Sequence, residues 1–473
     1  GAGLGGDGGA GAGGGPWRVR AEAALRGEGQ LPPHPGAWRA PRPDGRAPRG
    51  GARGGRRDLS ARKVRLHLVS DPGQGEAMTE PRRATVLGAT GSIGRSTLDI
   101  LRRAEPRPRV AALTGMGNVA GLAAAAREFR AELAVTADPA RYLELKAALA
   151  GTGTEVAAGP EAVVEAARRP ADWTMAAIVG AAGLAPTLAA AEQGGVIALA
   201  NKECLVSAGE LFLAEIARAG ATLLPVDSEH NAIFQALDRD NRAALDRILL
   251  TASGGPFRAW SRERMARATP EEAVAHPNWD MGAKISIDSA TMFNKALEMI
   301  EAKHLFDVRP EQVEVVVHPQ SVVHSMVGYA DGSVIAQMGT PDMRHAIGFA
   351  WNWPARRALP VERLDFARLA RLDFEAPDEG RFPALRLARE VMAAGGLAGA
   401  AFNGAKEAAL EAFMARRIGF LDMAAAVEAT LARLAPFAPA ERLADVFALD
   451  AEARATAEAL IASGEVGKGA VLA

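Results

Sequence analysis

The sequence has little of several features that would assign it to a specialised class. It holds one cysteine, Cys204, in 473 residues, which excludes a disulfide framework and a cysteine-based zinc site and is typical of a reducing cytoplasm. The formal net charge is −1, so nothing favours nucleic acid or an anionic membrane as a partner. No apolar run reaches the roughly eighteen residues that span a bilayer. What is present is a globular composition, 48% hydrophobic, in a chain long enough for two or three domains.

Residues 1–77 differ in composition from the rest of the chain. They contain 20 of the 51 glycines and twelve arginines but few large apolar residues, so they cannot bury enough surface to offset the entropy of ordering. We expect a disordered leader, translated from a misplaced start upstream of the true start at Met78. The alternative is a transit peptide for plastid import, which the scarce serines and seven acidic residues of this segment disfavour.

An acidic cluster follows an apolar run at residues 223–226, which predicts a short strand. Directly after it come Asp227, Ser228, Glu229 and His230. Two carboxylates two residues apart on an extended segment point the same way. The cluster therefore predicts either a convergent pair of acids or a solvated acidic turn.

A second polar cluster, SATMFNKALE at residues 289–298, predicts the start of a helix. On that helix Asn294 and Glu298 stand four residues apart on one face, and Lys295 is three residues from Glu298. Three carboxylates with nearby amide and ammonium groups suit a hard divalent cation and a phosphorylated ligand. An ordinary amphipathic helix is the competing interpretation.

A glycine-rich turn, Gly88-Ala89-Thr90-Gly91-Ser92-Ile93-Gly94, lies between an apolar strand pattern and a helical pattern. This context is the one in which a glycine motif binds a dinucleotide, because the pyrophosphate faces the helix N-terminus. The spacing is GxxGxxG rather than GxGxxG, and glycine turns also join many strands to helices. The turn alone therefore fits both dinucleotide binding and a plain junction between a strand and a helix.

The fold class expected is α/β. Alternating strand and helix patterns predict a Rossmann-like doubly wound domain over residues 78–226. A mixed α+β catalytic domain is expected over 227–354, a linker rich in proline and charge over 355–385, and an all-helical domain over 386–473. Strands are predicted at residues 84–87, 110–113, 133–136, 175–179, 196–200, 247–251, 313–317 and 333–338, and a helix at 120–130.

Long motifs then identify a family that the chain resembles. They are ATGSIGRSTLD, AAIVGAAGL, LANKE, LLPVDSEHNAIFQ, SGGPFR, HPNWDMGAKISIDSATMFNKALE, HPQSVVHSM and DGSVIAQMG. Over residues 83–473 the sequence resembles the 1-deoxy-D-xylulose 5-phosphate reductoisomerases of the non-mevalonate isoprenoid pathway. The resemblance implies rearrangement of a ketose phosphate to a branched aldehyde phosphate, then reduction by NADPH to 2-C-methyl-D-erythritol 4-phosphate.

The resemblance also implies roles for individual residues. The ligands expected for Mg²⁺ or Mn²⁺ are Asp227, Glu229 and Glu298, and the catalytic residues are Lys202, Glu229 and His276. The expected substrate contacts are Lys202, Ser228, Glu229, Ser253, His276, Ser289, Asn294, Lys295 and Glu298. Ser289 is expected at a helix start, where free N–H groups suit the phosphate, and His276 in a mobile flap over residues 276–282.

The expected NADPH contacts are Thr90, Gly91, Ser92, Ile93, Gly115, Asn118, Asn201, Glu203 and Gly282. One departure from the family pattern concerns the 2′-phosphate of NADPH. After the second strand the family commonly has a basic residue before asparagine, whereas this chain has Gly117 before Asn118. No acid replaces it, so the ribose ligand typical of NAD enzymes is also missing. We therefore expect NADPH with weaker discrimination against NADH.

Two other functions compete with this one. A semialdehyde dehydrogenase would need a cysteine nucleophile, for which Cys204 is the only candidate. A non-catalytic binding protein would keep the fold without the chemistry. As a member of the resembled family, the chain is expected to act on a sugar phosphate as a cytoplasmic homodimer, with neither nucleic acid nor membrane as a partner.

Overall fold

The computed structural model describes residues 81–275 and 282–467, which belong to one compact unit. The predicted leader, residues 1–77, lies outside the described residues, as does the segment 276–281 with His276.

The first part of the fold is a parallel sheet with a helix after most strands. Its strands are β1 (Arg83–Leu87), β2 (Arg109–Gly115), β3 (Leu133–Thr136), β4 (Glu155–Ala158), β5 (Trp173–Ala176), β6 (Val196–Leu199) and β7 (Thr222–Pro225). Its helices are α1 (Ser92–Arg102), α2 (Val119–Phe129), α3 (Tyr142–Ala148), α4 (Pro160–Ala167), α5 (Leu184–Ala191) and α6 (Glu203–Ala219).

The strand order of this sheet is β4-β3-β2-β1-β5-β6-β7. The chain runs outward from β1 through β2, β3 and β4, and then returns to place β5 against the other side of β1. In such sheets ligands bind at the carboxyl ends of the strands where the order reverses. The glycine turn after β1 lies at that point, which confirms the predicted Rossmann-like fold.

A second sheet and its helices follow. The strands β8 (Leu245–Ala252), β9 (Val313–Val317), β10 (Val323–Tyr329) and β11 (Val334–Met338) have the order β11-β10-β8-β9. The helices of this region are α7 (Ser228–Ala236), α8 (Arg262–Met265), α9 (Pro270–Val274), α10 (Ala283–Ala290), α11 (Phe293–Phe306) and α12 (Arg344–Asn352). Only β8 and β9 pair in parallel, so the sheet is mixed.

The last part is helical, as predicted. The short helix α13 (Phe366–Leu369) precedes it, within the residues predicted as a linker. The helical part contains α14 (Ala384–Ala394), α15 (Ala398–Met414), α16 (Asp422–Leu434) and α17 (Leu443–Ser463). Nearly every residue of α15 is buried, because this helix packs against α14, α16 and α17 and also against α6 of the first part. Among the helices of the described residues, none combines the length and the hydropathy that crossing a bilayer requires.

The predicted strands of both sheets are present, within a few residues at their ends. Sequence patterns missed β4, a half-exposed edge strand without a strong apolar run. They also missed β10, because its buried residues include the polar His324 and Ser325, which interrupt the apolar pattern of a strand. Residues 355–385 were predicted as a linker. There Glu375 pairs through its backbone with Val317 of β9. The domain boundaries stay a prediction.

Gly399 of α15 marks a close approach of two helices. A Cβ atom at this position would lie 1.8 Å from the carbonyl oxygen of Val206 in α6. We expect Gly399→Ala to lower the free energy of unfolding by about 1–3 kcal/mol, the usual range for overpacking, measured by urea unfolding. Gly117→Ala is the matched control, because its Cβ would meet nothing within 4 Å. Equal stabilities of the two variants would contradict this packing.

His304 of α11 packs against Gly209 of α6. Burial, with a smaller contribution from Lys303, lowers the pKa of His304 to about 4. An unfolded histidine takes up its proton near pH 6.5, so the unfolded state binds the extra proton between these values. The free energy of unfolding should therefore fall as pH drops from about 6.5 to about 4, by roughly 2–3 kcal/mol.

Urea unfolding over pH 4–7 checks this expectation. The His304→Gln variant should lose that part of the pH dependence while keeping the contributions of the other groups. Identical pH profiles for the variant and the wild type would show that the buried imidazole is not their source.

Candidate active site

A cavity of about 780 Å³ opens at the carboxyl edge of the first sheet. Side chains that follow β1, β6 and β7 meet there with side chains of α10, α11 and the end of β8. The residues predicted for the site that line this cavity are Ser92, Ile93, Lys202, Glu203, Asp227, Ser228, Glu229, Ser253, Gly282, Ser289, Asn294, Lys295 and Glu298. The fold thus brings residues from both sequence clusters into one cavity.

Three carboxylates converge in this cavity. Asp227 directly precedes α7, Glu229 stands in the first turn of α7, and Glu298 lies on α11. One oxygen from each lies within 4.8 Å of the others. The extended segment predicted for Asp227 and Glu229 is wrong, because α7 begins at Ser228. Convergence comes instead from the turn at Asp227 and from the approach of α11.

Lys202 lies just after β6 and faces this cluster. Its Nζ lies 2.6 Å from Asp227 Oδ2, 3.3 Å from Glu298 Oε1 and 2.8 Å from Asn294 Oδ1, to which it donates a hydrogen bond. Lys295, one turn before Glu298, donates to Glu229 Oε1 at 2.8 Å and also to Glu298. Two ammonium groups therefore sit among the three acids.

Burial and neighbouring charges shift the pKa values of the acids in this cluster. Burial and the neighbouring Glu229 raise the pKa of Glu298 to about 7, although Lys295 and Lys202 oppose the shift. Burial alone would raise the pKa of Asp227, but Lys202 holds it below its usual range. An added positive charge would stabilise the ionised form of acids that lie so close together. The donor set of carboxylate oxygens fits a hard divalent cation such as Mg²⁺.

The three serines differ in their surroundings. Ser228 donates to the carboxylate of Glu229, and Ser253, after β8, accepts from the Gly255 N–H at 3.1 Å. Ser289 was predicted at a helix start, and this is wrong: it lies in the last turn of α10, and Met292 with φ 63° separates α10 from α11. Ser289 can therefore offer its hydroxyl to an anion, but no free N–H groups of a first helical turn.

The glycine turn after β1 has the features of a phosphate cradle. Helix α1 begins at Ser92 with Gly91 as its N-cap, no capping side chain and no acid in its first turn, so its N–H groups are available to an anion. A Cβ at Gly94 would lie 2.2 Å from the Gly88 carbonyl oxygen, which requires glycine there. These features fit a dinucleotide pyrophosphate.

The other expected cofactor residues have structural contacts. Asn118 caps α2, since its Oδ1 accepts from the Gly121 N–H at 2.9 Å. Asn201 donates to the Gly180 carbonyl at 2.9 Å, and Glu203 accepts from the Gly180 N–H at 3.1 Å. Asn201 and Glu203 thereby hold the loop after β5, whose residues 177–179 line the cavity.

Sequence patterns missed a partly buried ion cluster at the edge of the cavity. Lys406 of α15 lies 3.0 Å from Asp288 of α10 and 2.7 Å from Glu407, and Glu407 lies 3.1 Å from Lys284. Burial opposes the charge of Lys406, but these acids raise its pKa above the usual range. The cluster joins α15 to α10. It carries no local sequence signal, because Lys284 and Asp288 lie more than a hundred residues from Lys406 and Glu407.

Cys204 does not have the surroundings of a nucleophile. It is fully buried in α6, and its thiol lies 3.0 Å from Asn201 Oδ1. Burial raises the pKa of the thiol well above its ordinary value, whereas a reactive cysteine needs a lowered one. A dehydrogenase that uses a cysteine nucleophile is therefore disfavoured.

Comparison with known families assigns the chain over most of its length. The family model for 1-deoxy-D-xylulose 5-phosphate reductoisomerase matches residues 84–209, that for its C-terminal domain matches 223–306, and the DXP reductoisomerase C-terminal domain matches 338–456. The 1-deoxy-D-xylulose 5-phosphate reductoisomerase of Sinorhizobium medicae is 66% identical over 382 residues, covering 80% of this chain and 98% of the relative. That of Rhodospirillum centenum is 61% identical over 383 residues, covering 81% and 95%.

Solved structures agree with this assignment. The Zymomonas mobilis 1-deoxy-D-xylulose 5-phosphate reductoisomerase in complex with NADPH is 56% identical, with a TM-score of 0.78 over 81% of this chain and all of that one. A DOX-P reductoisomerase in complex with NADPH, fosmidomycin and magnesium is 45% identical, with a TM-score of 0.78 over 82% of this chain and all of that one. The chain belongs to the 1-deoxy-D-xylulose 5-phosphate reductoisomerase family.

Proposed function

We propose that this protein converts 1-deoxy-D-xylulose 5-phosphate to 2-C-methyl-D-erythritol 4-phosphate, using NADPH and Mg²⁺. The observation that carries the proposal is the meeting of the Asp227, Glu229 and Glu298 carboxylates with Lys202 in one cavity. The same cavity reaches the first turn of α1, where Ser92 and Ile93 lie. The metal-assisted rearrangement and the hydride transfer act on one substrate. The carboxylate cluster and the cofactor site must therefore open into the same cavity.

Asp227, Glu229 and Glu298 would hold the cation. When bound, Mg²⁺ lowers the pKa of a coordinated substrate hydroxyl and stabilises negative charge on oxygen. Lys202 adds a fixed positive charge beside the same oxygens. Glu229, in the first turn of α7, would take the proton of the substrate hydroxyl as the carbon skeleton is broken and rejoined. Ser228 would orient the substrate backbone.

The phosphate end of the substrate would bind to Ser253, Ser289, Asn294 and Lys295. All four line the cavity. Lys295 supplies the positive charge that a phosphate dianion requires, and the serine hydroxyls and the Asn294 amide supply donors. Separate attachment of the phosphate leaves the rest of the sugar free to rearrange while it stays bound.

NADPH would lie along the carboxyl edge of the first sheet. The proposed contacts are Thr90, Gly91, Ser92, Ile93, Gly115, Asn118, Asn201, Glu203 and Gly282. Asn201 and Glu203 also hold the loop after β5 through their hydrogen bonds to Gly180. His276 stays a predicted catalytic residue, on the family resemblance.

The test is loss of NADPH absorbance with 1-deoxy-D-xylulose 5-phosphate, measured with added Mg²⁺ and again after chelation. We expect turnover with Mg²⁺ and none with chelator. The rival non-catalytic binding protein would bind metal and NADPH but give no turnover. Replacing Mg²⁺ with Mn²⁺ tests whether the site accepts both cations, as we propose.

We also propose a homodimer in the bacterial cytoplasm. Strand β11 supports the dimer, because it is the edge of the second sheet and exposes Val334 and Ile335, and exposed apolar edge strands tend to pair. Cys204, free and buried, supports a reducing compartment. Light scattering of the wild type and of Val334→Lys tests the dimer: a monomeric wild type would contradict it.

A further inference from the structure

The residues directly after β2 lack the charge that NADP enzymes use for recognition. Enzymes of this fold hold the adenosine 2′-phosphate with an arginine near the end of the second strand. In this chain Gly115, Met116, Gly117 and Asn118 occupy that stretch, and Asn118 is engaged in capping α2. A positive charge for the 2′-phosphate must therefore come from another element.

Arg95, in the first turn of α1, reaches this place. Its Nη1 donates to the Thr90 carbonyl oxygen at 2.8 Å, so the side chain folds back over the glycine turn. Thr90 in turn adjoins the end of β2, because a Cβ at Gly115 would lie 3.2 Å from Thr90 Oγ1. The guanidinium is thereby held at Thr90, the residue of the glycine turn that adjoins the end of β2.

The charge of Arg95 is also uncompensated, which distinguishes it from its neighbours. Arg95 is exposed, and within residues 81–275 and 282–467 it forms no ion pair. Arg102, at the other end of α1, pairs with Glu128 and Asp99. Arg141, after β3, pairs with Glu144 and Asp138. Of these three arginines, only Arg95 carries a positive charge that no carboxylate of the described residues neutralises. Arginine binds phosphate through paired N–H groups.

We propose that Arg95 is the residue of this chain that binds the 2′-phosphate of NADPH and so sets the preference over NADH. The proposal rests on NADPH being the cofactor. It replaces the expectation, based on Gly117, that the protein discriminates weakly between NADPH and NADH. The positive charge that is absent after β2 is supplied by Arg95 of α1.

The test is fluorescence titration of the full chain with NADPH and with NADH, which needs no turnover. We expect Arg95→Gln to weaken NADPH binding about 10- to 100-fold, as for loss of hydrogen bonds to a charged group, and to leave NADH binding within about twofold of the wild type, because NADH has no 2′-phosphate. Arg95→Lys should retain part of the preference. Arg102→Gln, on the same helix, is the matched control and should change neither affinity.

Two outcomes would overturn the proposal. Equal weakening of NADPH and NADH would mean that Arg95 only supports the glycine turn, and an unchanged NADPH affinity would mean that another group binds the phosphate. Thermal melting of each variant separates these results from loss of the fold. If the wild type prefers NADPH but turns over no substrate, the proposed function fails while the role of Arg95 stands.

Discussion

Replacing Glu229 with glutamine is expected to lower kcat/KM for 1-deoxy-D-xylulose 5-phosphate by about 10²–10³-fold, if the cation contributes about 3–4 kcal/mol to the transition state. The change keeps the size of the side chain but removes one of three converging carboxylates. Fewer anionic ligands should also weaken Mg²⁺ binding. Steady-state kinetics and calorimetric titration with Mg²⁺ measure the two effects.

The loss of activity should be partly recovered at high Mg²⁺ concentration, because the weaker site can still be filled. Glu452→Gln, an exposed acid of α17, is the matched control and should behave as the wild type. If Glu229→Gln bound Mg²⁺ as tightly as the wild type and kept full activity, the metal site would have to be sought elsewhere.

Replacing Lys202 with methionine is expected to lower kcat by about 10²–10³-fold, the usual effect of removing one preorganised electrostatic contact. Lys202 Nζ lies 2.6 Å from Asp227 and 3.3 Å from Glu298, two of the proposed ligands of the cation. It would therefore lie close to the substrate oxygens that the cation binds. Methionine keeps the apolar stem and removes the ammonium group, with its charge and its hydrogen bond to Asn294. Presteady-state and steady-state kinetics with NADPH measure the loss.

The two variants differ in their effect on the cation. Removing a positive charge from among the ligands should leave Mg²⁺ binding unchanged or tighter, whereas Glu229→Gln weakens it. Lys146→Met, an exposed lysine of α3, controls for loss of charge alone. Should Lys202→Met weaken Mg²⁺ binding in parallel with kcat, Lys202 would act by holding the fold of the carboxylate cluster and not on the substrate.

Local patterns were sufficient wherever a residue's role depends on its chain neighbours. The apolar run 196–200 predicted β6, observed at Val196–Leu199, because a strand buried on both faces needs apolar residues throughout. The turn from Gly88 to Gly94 predicted a strand, a tight turn and a helix, and these are present. Asn294 and Glu298 were predicted on one helical face, and Asn294 donates to Glu298 on α11.

Local patterns failed where the determining contact is distant in sequence. Ser289 was expected at a helix start, but it lies in the last turn of α10, and the buried Met292 with φ 63° separates α10 from α11. Strand β10 went unnoticed because His324 and Ser325 become buried by neighbouring strands. The ion pair of Lys406 with Asp288 could not be predicted, because it forms only where α15 contacts α10.

By itself, the sequence determined the family, the order of strands and helices, and the residue types able to bind a cation and a phosphate. Those properties follow from periodicity and from motifs that lie within short stretches of the chain. The tertiary structure decided which groups meet: the approach of Glu298 to Asp227 and Glu229, the two lysines among them, and the return of Arg95 toward β2. These depend on distances between separate elements, and packing of the whole chain sets such distances.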